Sequence, residues 1–145
     1  MKKILMMILI LLIQTFPSIG SPIGKGIICG CENCGVDIDY YKKIIGSFFD
    51  EKGTILYKFK EKDNEVSLDI LKYYPQTITE NHSIWNYYKL DRKTLKLRDR
   101  RLYDDDEDYL VCSVYTNRQS LIKEINRKEK NYQSLIDSKI VKNKI

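Results

Sequence analysis

Three cysteines fall within six positions of one stretch, IICGCENCG: Cys29, Cys31 and Cys34. The fourth, Cys112, stands alone far down the chain. This spacing limits the fold more than any other feature, because a partner for Cys112 in the cluster would tie the N-terminal segment to a distant element. Four bridged cysteines allow three pairings. Cys29 and Cys31 are separated by one residue, so a bond between them would be strained. Cys31 and Cys34 form a C-x-x-C, written CENC. Whether the cluster is a staple, a redox pair or a metal site depends on where the chain works.

The first residues bear on that. Lys2 and Lys3 make a short positive start, residues 4 to 16 form an apolar run broken only by Gln14 and Thr15, and small or turn-forming residues follow. This is the layout of a secretory signal peptide. A membrane span needs about 20 apolar residues, so a retained anchor is the weaker reading. Ser18 and Gly20 suit a cleavage site after residue 20. The expected division is therefore a signal peptide at 1–20, a Gly/Cys-rich segment at 21–35 and a single domain at 36–145. The residues before Cys29 and Cys31 make no convincing lipobox. The expected location is secreted or periplasmic, with no stable membrane span after cleavage.

Removing 20 of 145 residues leaves 125, enough for one ordinary domain with a real core. The 25 Lys+Arg fall to 23 when Lys2 and Lys3 leave, against 20 Asp+Glu, a net +3. Such a mixed surface argues against nucleic-acid binding. An exported chain meets oxidising conditions, where disulfides persist. A staple from one N-terminal cysteine to Cys112 is then favoured. A zinc site would usually show two paired spacings, and Cys112 stands alone. A redox C-x-x-C would need a strand before it and a βαβ unit around it, and only a Gly/Pro-rich spacer precedes CENC.

Along the chain, Ile38, Tyr41, Ile45 and Phe48 have near-helical spacing, so a helix is expected over about 38–46, with Asp37 or Asp39 as cap. SFFD is its ambiguous end and also fits a short strand. Period-two alternation follows in TILYKFKE and EVSLDIL around the turn KDNE, then in SIWNYYKL, TLKLRDR and YLVCSVY. In the third segment Trp85 and Tyr87 share one face. In the fourth, Leu95 and Leu97 point in, with Lys96 and Arg98 out. In the fifth, Leu110, Cys112 and Val114 share a face. Short connections predict an antiparallel meander of about five strands. From Thr116 onward, Leu121, Ile125, Tyr132 and Leu135 recur at helical steps, with Thr116 and Gln119 as a capping box. The fold class is α+β: a meander, a short N-terminal helix and a long C-terminal amphipathic helix that either covers the sheet or projects as an assembly surface.

Chemistry is sparse. His82 is the only histidine, in a polar loop with a solvated role and a bare N-x-S match around it. Asp104, Asp106 and Asp108 mimic the start of an EF-hand loop, but Tyr109 and Tyr115 occupy positions where that loop needs Gly and Glu, so a solvated acidic loop is preferred. There is no G-x-S-x-G, phosphate loop or H-E-x-x-H. Neither catalytic residues nor a metal or cofactor is expected, and a non-enzyme is favoured. The aromatics point to recognition: Trp85 and Tyr87 with Arg98, Arg100 and Arg101, beside Asp104, Asp105 and Asp106, have the composition of a binding surface. In general architecture the chain resembles exported inhibitor and immunity proteins. The leading expectation is a small exported, disulfide-stabilised protein that acts by occupying a partner protein. The alternatives are a thiol–disulfide protein using Cys31 and Cys34, and a structural or surface protein that oligomerises through the C-terminal helix.

Overall fold

The computed structural model describes residues 21–31, 34, 35, 37–73, 76–85, 87–100 and 109–143. Strand β1, Gly26–Gly30, comes first. Helix α1, Ile38–Lys43, follows, its first turn capped by the Asp37 side chain, which accepts the Tyr40 N–H at 3.0 Å. Then come β2, Ile45–Phe49, and β3, Thr54–Lys62. A two-residue turn with positive φ at Asp63 and Asn64 leads to β4, Glu65–Tyr73. Both centres being left-handed is what a type I′ hairpin requires, and Asp and Asn tolerate it best after Gly. The second half of the sheet contains β5, Gln76–Ile78, β6, His82–Trp85, β7, Tyr88–Asp91, β8, Lys96–Asp99, and β9, Tyr109–Tyr115. Helix α2, Arg118–Asn143, closes the order.

The nine strands form one sheet in the order β4-β3-β2-β1-β9-β8-β7-β6-β5, antiparallel at every pairing. Two meanders, β1 to β4 and β5 to β9, meet where β9 returns to pair with β1. Cys29 and Cys112 face each other across that seam and are bonded, their Cα atoms 4.0 Å apart. The staple therefore joins the two halves at the middle of the sheet. Cys31 and Cys34 form the second disulfide, just past the end of β1.

The sheet curls until it is nearly a barrel. At its far end the Gln76 side chain accepts from Thr54 Oγ1 at 2.8 Å and donates to the Asp50 carbonyl at 2.6 Å, tying β5 back to the β2–β3 hairpin. Inside the curl, Ile27, Cys29, Phe49, Leu56, Trp85, Tyr88, Leu90, Leu97 and Cys112 pack together. Phe49 meets Trp85 edge to face with centroids 5.3 Å apart.

A second core lies outside the curl, where α1 and α2 cover β1 to β4. Leu121, Ile125, Tyr132 and Ile136, at helical steps, bury one stripe of α2 against Ile28, Ile55, Tyr57 and Phe59. Tyr132 stacks on Tyr41 of α1 with centroids 5.3 Å apart. Glycine permits this close approach: a Cβ on Gly26 would lie 2.6 Å from Leu121 Cδ2. The cap of α2 is Asn117, whose Oδ1 accepts the Ser120 N–H at 2.8 Å, one residue beyond the expected Thr116. Asn117 competes better for this place because its carboxamide oxygen reaches the third N–H of the turn.

The α+β class and the antiparallel sheet agree with the sequence, but the meander of about five strands becomes nine. Three strands sit where irregular chain or helix was expected. The glycine-rich spacer is β1, the end of the expected first helix is β2, and the polar loop after Pro75 contains β5. Helix α1 stops at Lys43 because Ile44 turns extended, with ψ 134°, and the inward alternation of Ile45, Ser47 and Phe49 begins. The expected 83–90 strand is also broken: Trp85 of β6 pairs with Tyr88 of β7. The expected signal peptide at 1–20, Arg101, Asp104, Asp105 and Asp106 lie outside the described residues.

Candidate functional site

The helices leave one sheet face open, the outer face of β6 to β8 with the Tyr109 end of β9, while Tyr115 at the other end of β9 packs against the core under α2. Alternation sends Ser83, Trp85, Tyr88, Leu90 and Leu97 into the curl, so their neighbours point out. The register places these in rungs across β7 and β8: Lys89 opposite Arg98, and Asp91 opposite Lys96. Tyr87 and Arg100 extend the ladder by one rung, the Arg100 N–H donating to the Tyr87 carbonyl at 2.7 Å. His82 lies opposite Asp91 from β6, and Tyr109 opposite Arg98 from β9.

Together His82, Lys89, Asp91, Thr94, Lys96, Arg98 and Tyr109 line an open groove of about 440 Å³. Its permanent charges are three cations and one carboxylate. Asp91 is also committed locally. Its Oδ1 accepts the N–H of Thr94 at 3.1 Å and of Lys93 at 2.9 Å. Those bonds, Thr94 foremost, hold its carboxyl below the usual carboxylate range, with a further pull from His82. One wall carries Lys96 over the Tyr109 ring, Nζ 4.1 Å from the centroid. The other end is braced by Arg92, whose guanidinium donates to the Thr79 carbonyl at 2.6 Å and whose N–H donates to the Asn81 carbonyl at 2.8 Å. The turn between β7 and β8 ends on Leu95, left-handed at φ 56° and packed against the inner core. A flat, cation-rich, aromatic-edged face of this kind suits an acidic, extended partner better than a small apolar ligand.

The residues proposed from sequence divide. Tyr87, Arg98 and Arg100 share the outer face, and Tyr87 is 46% exposed. Trp85 does not join them. It is 1% exposed and points into the curl, because Trp85 pairs with Tyr88 and the chain reverses where an unbroken strand would have run on. His82, expected in a solvated loop, is instead a half-buried residue of β6 on the groove. Lys89, Asp91 and Tyr109 were not singled out from sequence, though alternation about Leu90 and Leu110 already marks them as outward.

Among the cysteines, Cys29 and Cys112 are buried at 0% and 5% exposure, and Cys31 and Cys34 are half-buried. Cys31 borders a shallow pocket of about 180 Å³ with Tyr40 and Lys128, where the Lys128 ammonium donates to the Tyr40 hydroxyl at 3.4 Å. The helix after the CENC cysteines starts at Ile38, beyond a loop, and the described strands are all antiparallel, so a βαβ unit around the motif is absent among the described residues. No described helix is long and apolar enough to cross a membrane. No protein-family model, curated protein or solved structure matches the chain.

Proposed function

We propose that this is an exported binding protein, held by two disulfides, that occupies an acidic segment of a partner protein on the outer face of β6 to β8 and the Tyr109 end of β9. The observation that carries this is the convergence of Lys89, Lys96 and Arg98, edged by Tyr87, Tyr109 and Arg100, on the one broad sheet face that neither helix covers. The two disulfides and the signal-like leader support a non-cytoplasmic setting, secreted or periplasmic. The inhibitor or immunity type of action is the form of occupation this fits best, since rigid sheet faces present side chains with little ordering cost on binding.

Titration with a fluorescent Asp/Glu-rich peptide of about ten residues tests the reading. Saturable binding should weaken as salt rises from about 50 to about 300 mM. Lys89→Glu and Lys96→Glu should each weaken it by about tenfold or more, with the melting temperature nearly unchanged. Binding untouched by both reversals would refute the assignment of the site.

A further inference from the structure

The binding face makes no use of the CENC motif. A redox pair of this kind needs a strand ahead of it, where the spacing alone predicts a glycine-rich spacer. The structure supplies the strand: β1 runs to Gly30, and Cys31 follows it directly. Exchange at a disulfide also requires that a thiolate reach one of its sulfurs. Here the two disulfides differ. Cys29–Cys112 lies inside the curl at 0% and 5% exposure. Cys31 and Cys34 are both half-buried, and Cys31 opens on the pocket of about 180 Å³ that α1, α2, β1 and β9 enclose. A Cβ on Gly30 would meet nothing closer than 3.6 Å, so the floor beside Cys31 is clear.

A cysteine that leaves as thiolate needs a positive charge nearby. Helix α1 is too short to supply it, with six residues starting only at Ile38. Lys128 of α2 supplies it instead. Its side chain is 15% exposed, lines the same pocket and donates to the Tyr40 hydroxyl at 3.4 Å. Glu124 Oε1 lies 3.8 Å from the Lys128 ammonium, but its carboxylate is bonded by Arg127, so two cations share one anion. Those bonds from Arg127 hold the Glu124 carboxyl below its usual range. The other titratable groups on the pocket, among the described residues, are the phenols of Tyr40 and Tyr115, and burial pushes Tyr115 up. Past Cys34, Asp37 spends its carboxylate on the Tyr40 N–H. The pocket beside Cys31 therefore keeps a positive excess.

We infer that Cys31–Cys34 is a thiol–disulfide exchange site that oxidises dithiols, with Cys31 as the sulfur attacked and Lys128 stabilising its thiolate. One substrate thiolate attacks Cys31 Sγ, and the electron pair of the Cys31–Cys34 bond leaves on Cys34 Sγ, which takes up a proton. The second substrate thiolate attacks the substrate sulfur now bonded to Cys31. A substrate disulfide forms, and Cys31 departs as a thiolate beside Lys128. Two electrons pass from the dithiol to the cysteine pair. Of the dithiol's two protons, one ends on Cys34 and the other in water. Cys29–Cys112 takes no part, and the site is independent of the acidic-partner groove.

Reduced dithiothreitol, in small excess over disulfide-intact protein at about pH 7, is the probe. Thiols are trapped with N-ethylmaleimide at intervals and assigned by peptide mass spectrometry. Cys31 and Cys34 should be labelled about a hundredfold faster than Cys29 and Cys112. Cys34→Ala leaves Cys31 free and the staple closed. In that background, alkylation of Cys31 by iodoacetamide should slow about tenfold in Lys128→Met and be retained in Lys128→Arg, with the melting temperature nearly unchanged. A Cys31–Cys34 bond that opens no faster than Cys29–Cys112 would overturn the inference. Alkylation of Cys31 indifferent to Lys128→Met would overturn it equally.

Discussion

Trp85 and Tyr87 sit two positions apart and have opposite roles. Trp85 fills the centre of the curl against Phe49 and Tyr88, so Trp85→Ala should lower unfolding free energy by about 3–5 kcal/mol. Tyr87→Ala, on the exposed turn, should cost less than about 1 kcal/mol in the same denaturant titration. Equal costs would mean that the pairing of Trp85 with Tyr88 is wrong. Asp91 is the residue whose titration bears on the groove. Its carboxyl is lowered from the ordinary 3.8 in the folded state, so the unfolded chain takes up its proton first as pH falls. The stability it contributes is complete above about pH 5 and is lost as pH drops through 3.8 and below. Asp91→Asn should therefore flatten the acid limb of a stability-versus-pH curve in that window and leave its slope at neutral pH unchanged.

At the scale of elements, the two disulfides differ in what they hold. Cys29–Cys112 closes a separation of 83 residues and Cys31–Cys34 one of 3. On chain entropy alone the first contributes about 4.5 kcal/mol and the second about 2. Replacing Cys29 and Cys112 by Ala should lower denaturation midpoints well beyond replacing Cys31 and Cys34 by Ser. Similar losses would contradict the central position of the first bond. The staple was readable in sequence because Cys112 falls on the inward side of a clear alternation and needed an N-terminal partner. That the partner is Cys29 became visible only with β1, whose glycines hide its strand character. Gly26 and Gly46 are there for the close packing of Leu121 and Ile125, a reason no local propensity reveals. The β3–β4 hairpin was legible from its Asp-Asn turn. The β6–β7 hairpin was not, because continuous alternation from Ile84 to Leu90 looks the same whether the chain runs on or reverses. The outward Arg98 of the groove was therefore found, and Trp85 was assigned to the wrong face.

For the whole molecule, two meanders share one seam and use their faces differently. The β1–β4 half and the Tyr115 end of β9 are covered outside by α1 and α2, and β6 to β8 with the Tyr109 end of β9 are left open outside. Closure at the far end rests on few contacts, among them the Gln76 bridge to Thr54 and Asp50. The stapled seam and filled interior should make the open face rigid, and its cation excess gives it a sign. The central claim is that this face, and not the helical one, meets the partner. Amide chemical shifts recorded while the acidic peptide is titrated into labelled protein test it most directly. The account predicts saturating shifts concentrated on His82, Lys89, Lys96, Arg98 and Tyr109, with α2 silent. Shifts concentrated along Lys123, Arg127 and Lys130 of α2, or none that saturate, would contradict it.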